Sequence, residues 1–145
     1  MGKSYLLDTN AILDFMGDKL PAKARAIFSQ IVDDQINISV INKIEILCFS
    51  FVEQDLIDFV NYSNVFPLDD HIVTKTIEIR RLYKKIKLPD AIIASTALHY
   101  DLILITNDKD FENINGLKVE SPYDLDDVST ENDSQDFEDL LNTLA

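Results

Sequence analysis

The chain predicts a single α/β domain built on a parallel sheet of four to five strands, with helices on both faces. Two observations carry this. Short β-branched or apolar runs alternate along the chain with longer stretches of helical spacing, the order that produces parallel strands joined by helical crossovers. The length is 145 residues and 46% of them are hydrophobic, enough for one core and too little for two domains.

The elements follow in order. SYLLD (4–8) reads as a buried strand, followed by a helix from about Thr9. Pro21 opens a second helix over 21–34, since proline suits a first helical turn. INISV (36–40) is a β-branched strand. Residues 42–62 read as helix in two pieces, with Ile44, Leu47, Cys48 and Phe51 on one apolar face. NVFPL (64–68) is a short strand. Residues 69–86 are helical, with Ile72, Thr76, Ile79 and Tyr83 at helical spacing. Pro89 starts a helix running to about Tyr100, and LILIT (102–106) is the clearest strand. A helical turn, Gly116 and a last strand near 117–120 complete the domain, expected to span 1–123. Cys48 is expected to be a small buried hydrophobe, and Phe15, Phe28 and Phe49 core or interface residues.

Composition removes several classes. One cysteine excludes internal disulfides and Cys-rich zinc modules. No apolar run nears the ~20 residues of a spanning helix, and the N-terminus lacks a signal-peptide pattern. The reading is of a soluble, cytoplasmic protein with no membrane association. With 26 acids against 13 bases the net charge is −13. Eight of those acids and no base fall from Asp124 onward, so residues 1–123 carry only −5. Residues 124–145 form an acidic tail whose Phe137, Leu140, Leu141 and Leu144 recur at helical spacing, either a solvated segment or a short docking helix. Five of the 13 bases, Arg80, Arg81, Lys84, Lys85 and Lys87, lie in RRLYKKIK, just before Pro89 and Asp90. They suit a helix end, where cations complement the dipole, or a phosphate-binding rim.

In doubly wound sheets ligands bind beyond the carboxyl ends of the strands. Asp8 ends the first strand and Asp108 follows LILIT; Asp90 opens a helix, and Glu45 lies early in the helix after the second strand. Each has a plainer explanation. Asp8 and Asp108 are candidate caps, Asp90 a first-turn helix acid and Glu45 a solvent-facing acid. Gathered together they would repel one another, and a hard cation would relieve that repulsion. Oxygen donors without His or Cys suit Mg²⁺ or Mn²⁺.

Three segments resemble the PIN-domain proteins, and most of all the small VapC-type ribonuclease toxins of toxin–antitoxin systems. LLDTN resembles the family's first motif, SVINKIEIL the second, and LPDAIIASTALHYDLILITNDKDF the third and fourth. The match covers about residues 4–122. The resemblance implies a metal-dependent endoribonuclease acting on single-stranded RNA. Asp8, Asp90 and Asp108 would be metal ligands holding Mg²⁺ or Mn²⁺, and Glu45 would complete the catalytic set or position the attacking water. Thr9, Asn10 and Thr106 would orient the carboxylates, with Asp110 an alternative to Asp108. It also implies a homodimer and a protein antitoxin. The alternatives are a PIN nuclease of RNA processing without an antitoxin, or a non-cleaving metal- or RNA-binding module. A haloacid-dehalogenase phosphatase would need an acid where Asn10 stands, and a receiver domain an N-terminal acidic pair that is missing.

Overall fold

A computed structural model describes residues 2–126. The tail positions Phe137, Leu140, Leu141 and Leu144 lie outside the described residues. Strand β1 (Tyr5–Leu7) is followed by α1 (Thr9–Met16) and α2 (Ala22–Asp34). Then come β2 (Asn37–Ser39), α3 (Val40–Leu47), α4 (Gln54–Tyr62) and β3 (Asn64–Phe66). Helices α5 (Asp70–Leu82) and α6 (Leu88–His99) precede β4 (Ile103–Ile105), a 3-10 turn (Lys109–Asn113) and β5 (Val119–Glu120).

The strands form two parallel ladders, β1-β4-β5 and β2-β3. Strand β2 lies beside β1, where the Asn37 side-chain amide donates to the Tyr5 carbonyl at 2.9 Å. A side chain thus closes the seam that a backbone ladder would otherwise fill. Because successive strand residues face opposite ways, β1 and β4 each supply both cores. Leu7 and Ile105 join Ile12, Phe28, Ile38 and Ile46 on the face of α1 to α4. Leu6 and Leu104 join Ile79, Ile93, Phe111 and Ile114 on the other. Leu125, just past the expected domain end, is buried in the first core.

Helix α6 is buried at every position from Ala91 through Ala97, which explains its nearly continuous apolar sequence. Its hydroxyls are satisfied inside: Ser95 donates to the Ala91 carbonyl and Thr96 to the Ile92 carbonyl, while Thr76 of α5 donates to Ser95. No buried side-chain N or O among the described residues lacks a partner.

Three expectations are corrected. Helix α5 stops at Leu82 rather than 86, because residues 83–87 must reverse the chain before α6. The Arg80 guanidinium holds that turn through the Ile86 carbonyl, and the Tyr83 hydroxyl accepts from the Asn115 amide. The inward side of α3 carries Asn42 and Ile46, four apart, instead of Ile44 and Leu47. Ile44 is 58% and Phe51 81% exposed, and Phe49 is exposed as well. Cys48 is exposed rather than buried; its Sγ donates to the Glu45 carbonyl. Phe15 and Phe28 do belong to the core, stacked with centroids 4.4 Å apart.

Candidate functional site

Where β1 and β4 end, the chain turns directly into α1 and the 3-10 turn, so both strand-end acids meet helix starts. Asp8 caps α1 by accepting from the Thr9 amide at 2.9 Å. Asp108 caps the 3-10 turn by accepting from the Asp110 amide, also at 2.9 Å. Capping and convergence therefore coexist.

Asp8 is 6% exposed and its four acceptor positions are all used. Oδ1 accepts from Thr9 N and from Asn42 Nδ2 (3.1 Å). Oδ2 accepts from Thr106 Oγ1 (2.7 Å) and Asn10 Nδ2 (3.2 Å). Thr106 is saturated in turn, because its hydroxyl also accepts from the Asp108 amide at 3.0 Å and from Asn10 at 3.2 Å. Thr9 Oγ1 donates to Glu45 Oε1 at 3.0 Å and accepts from Asn42 at 3.1 Å. Thr9 thus hydrogen-bonds to Glu45, and Asn10 and Thr106 to Asp8.

The four acids interact electrically. Burial raises the Asp90 carboxyl to about 6, with Asp108, Asp8 and Glu45 adding to the rise and Lys87 opposing it. Burial also raises Asp8, against the hydrogen bonds from Thr106, Thr9 and Asn42 and with help from Asp108. Burial raises Glu45, the Thr9 bond opposes, and Asp8 adds to it. None of the four forms an ion pair with a basic side chain among the described residues. Among those residues no three acidic, histidine or cysteine side chains stand close enough together to hold one ion as they are. The donor set nevertheless fits a hard divalent cation: it is all oxygen, mutually repelling and short of positive charge. The two histidines stack on each other, centroids 5.2 Å apart, at the far end of α6 from Asp90.

Asp110 reaches the site only through its backbone amide on Asp108, and its side chain belongs to a neighbouring pocket. The five bases divide. Lys85 and Lys87 line that pocket alone, Lys84 lines both it and a separate outer groove, and Arg80 and Arg81 line that groove with Thr76 and Ile77, Arg80 also holding the turn.

Sequence reasoning missed Asn42, which bridges Asp8 and Thr9 while its Oδ1 accepts from the Ser39 amide at 2.9 Å. The signal was Ser39 followed three residues later by an amide, the spacing of a capping box. A second layer was also missed. Asn107 N donates to Asn10 Oδ1, and both Asn107 Nδ2 (2.8 Å) and the Tyr123 hydroxyl (2.9 Å) donate to Asp14 Oδ2.

The PIN domain model matches residues 5–117. No curated protein matches the chain. Among solved structures, a toxin–antitoxin complex from Klebsiella pneumoniae is 31% identical, with TM-score 0.65, covering 84% of this chain and 100% of that one. VapBC-1 from nontypeable Haemophilus influenzae is 25% identical, with TM-score 0.66 and coverages of 81% and 97%. DNA-bound VapBC from Salmonella typhimurium, at 23% identity and TM-score 0.67, shares the fold over 83% and 99%. With its carboxylates at the strand ends and this match over most of its length, the chain belongs to the PIN-domain family, and within it resembles the VapC-type toxins.

Proposed function

We propose that the protein is a Mg²⁺- or Mn²⁺-dependent endoribonuclease that cuts single-stranded RNA and serves as the toxin of a type II toxin–antitoxin pair. The observation that carries this is the gathering of four acids, Asp8, Glu45, Asp90 and Asp108, at one edge of the sheet, where burial and the other three acids raise Asp90 to about 6. The likeness to a toxin–antitoxin complex at 31% identity supports the biological role.

In this reading Asp8, Asp90 and Asp108 would hold the cation, Asp8 by exchanging one of its four hydrogen bonds for it. When bound, it supplies positive charge against the phosphoryl transition state and acidifies water near neutral pH. The donors that remain would keep Asp8 in place. Glu45, oriented by the Thr9 hydroxyl, positions the attacking water and receives its proton. Attack at phosphorus breaks the bond to the 3′ oxygen, which takes up a proton, leaving 5′-phosphate and 3′-hydroxyl ends.

A protein antitoxin would cover this edge of the molecule. Exposed Met16 of α1, with Ile44, Leu47, Phe49 and Phe51 of α3 and the segment after it, supports such docking beside Glu45. Exposed Val73, Ile77 and Leu88 on α5 and α6 support a homodimer contact elsewhere.

The test is cleavage of a mixed single-stranded RNA pool by purified protein in Mg²⁺, Mn²⁺ or EDTA, beside Asp90→Asn and Glu45→Gln. Metal-dependent cutting lost in both variants supports the reading. Cutting that persists in EDTA or in both variants overturns it.

A further inference from the structure

Asp90 also lines a cavity of about 450 Å³ on the side facing the turn between α5 and α6. It is enclosed by the turn between α5 and α6 on one side and by the end of the 3-10 turn on the other. Its size falls within the range of sites that enclose a small ligand, about 300–1,000 Å³, and suits one nucleotide rather than a length of strand. Its lining is of three kinds. Lys84, Lys85 and Lys87 supply positive charge, Tyr83, Ile86 and Ile114 supply apolar wall, and Asn113 supplies an amide. Asp90 and Asp110 lie at its acidic side.

The combination matches the parts of a nucleotide. None of the three lysines forms an ion pair among the described residues, although the body of the chain is acidic. Lys84 and Lys85 therefore offer their charge to phosphate, and Lys87 shares its charge with Asp90. The apolar wall suits the face of a base, and a side-chain amide can both donate to and accept from a base edge. The pocket is also built rather than incidental. The Arg80 guanidinium fixes the Ile86 carbonyl, and the Asn115 amide fixes the Tyr83 hydroxyl at 2.8 Å, so both walls are tied from outside the cavity. Ile114 is 4% exposed and anchors the far wall in the second core.

We infer that this cavity is a subsite for one nucleotide of the RNA strand next to the bond that is cut. Its base lies against Ile86 and Ile114, Asn113 reads the base edge, and Lys84, Lys85 and Lys87 take the flanking phosphates. Because Asp90 belongs both to this cavity and to the acid set, the nucleotide held here is adjacent to the scissile phosphate. The inference rests on the ribonuclease reading for its substrate class.

The test is fluorescence anisotropy with labelled eight-nucleotide oligo-A, oligo-C and oligo-U and a mixed-sequence RNA. It is done in EDTA so that nothing is cut, across a salt series. Lys85→Ala/Lys87→Ala, which leaves the outer groove intact, should bind the mixed RNA about tenfold more weakly and lose about 1.4 from the slope of log affinity against log salt, two contacts at about 0.7 each. Asn113→Ala should narrow the spread among the three homopolymers by roughly fivefold, the worth of one neutral hydrogen bond, with the salt slope unchanged. Arg81→Ala, on the outer groove, should stay within about twofold of wild type. Equal losses for Arg81→Ala and the lysine pair would mean a diffuse basic surface and overturn the subsite. So would wild-type binding by both pocket variants. Cleavage in Mg²⁺ is scored in parallel. Wild type that binds through the pocket without cutting removes the nuclease and leaves the subsite. Wild type that cuts, with pocket variants unimpaired, does the reverse, and wild type that does neither removes both.

Discussion

Replacing Asp90 by asparagine should make the cation-free protein more stable at neutral pH. Asp90 titrates at about 6 in the folded chain against an ordinary 3.8, the work of burial and three neighbouring acids. Folding therefore favours its protonated form. That advantage is whole below pH 3.8 and is lost as pH rises through about 6, above which the fold must carry an ionised Asp90 in a repelling cluster. Two pH units correspond to about 3 kcal/mol, but Asp90 is only half-buried, and solvent screening reduces this to about 1.5 kcal/mol. An ionised acid in the first turn of α6 also gains about 0.5 kcal/mol from the helix dipole, which asparagine gives up. The remainder is about 1 kcal/mol, or roughly 4 °C in Tm for a domain of this size. Urea unfolding in EDTA measures it. Asp90→Asn should exceed wild type by that amount at pH 7.5 and match it near pH 4. A variant less stable than wild type at pH 7.5, or a gain of equal size at both pH values, would refute the electrostatic reasoning.

The remaining predictions concern the same acids. Asp8→Ala should behave oppositely and lose about 2–4 kcal/mol in urea unfolding, because the buried Thr106 hydroxyl proton loses its acceptor and Asn42, Asn10 and the Thr9 amide each lose a bond. Thr106→Val preserves shape but removes a hydroxyl that serves three partners, and should cost about 2 kcal/mol by the same measurement. Millimolar Mg²⁺ or Mn²⁺ should raise the Tm of wild type in a thermal-shift assay. The rise should be smaller in Asp90→Asn, which reverses their order in EDTA.

Much of the site was legible because topology places it. A carboxylate at the end of a buried parallel strand has few places to go, so Asp8 and Asp108 could be located from LLDTN and LILITND alone. Pro89 marks the start of α6 and with it Asp90. The α3 face was misread for a physical reason. Apolar spacing reports the inward side of a helix only when that side meets an apolar core, and here α3 presents Asn42 to Asp8. Of its hydrophobic residues Ile46 goes to the core, while Ile44 and Leu47 are left to the surface. The split of the bases was equally hidden. Five charges in eight residues look alike in sequence, but the end of α5 at Leu82 sends Arg81 to one side and Lys85 to the other. The seam between β1 and β2 depends on the Asn37 side chain, which strand propensity does not encode.

The four donors on Asp8 come from positions 9, 10, 42 and 106, so the acid nearest the start of the chain waits for a hydroxyl made almost at the end of the domain. During synthesis the first 100 residues can leave the ribosome with α1 to α6 in hand and still lack Thr106, Asp108 and the strand that carries them. No such partial product holds the complete acid set. On the ribonuclease reading, a growing chain is thus inert by construction. Its chemistry switches on only after β4 has joined β1, a pairing between residues 98 apart in sequence.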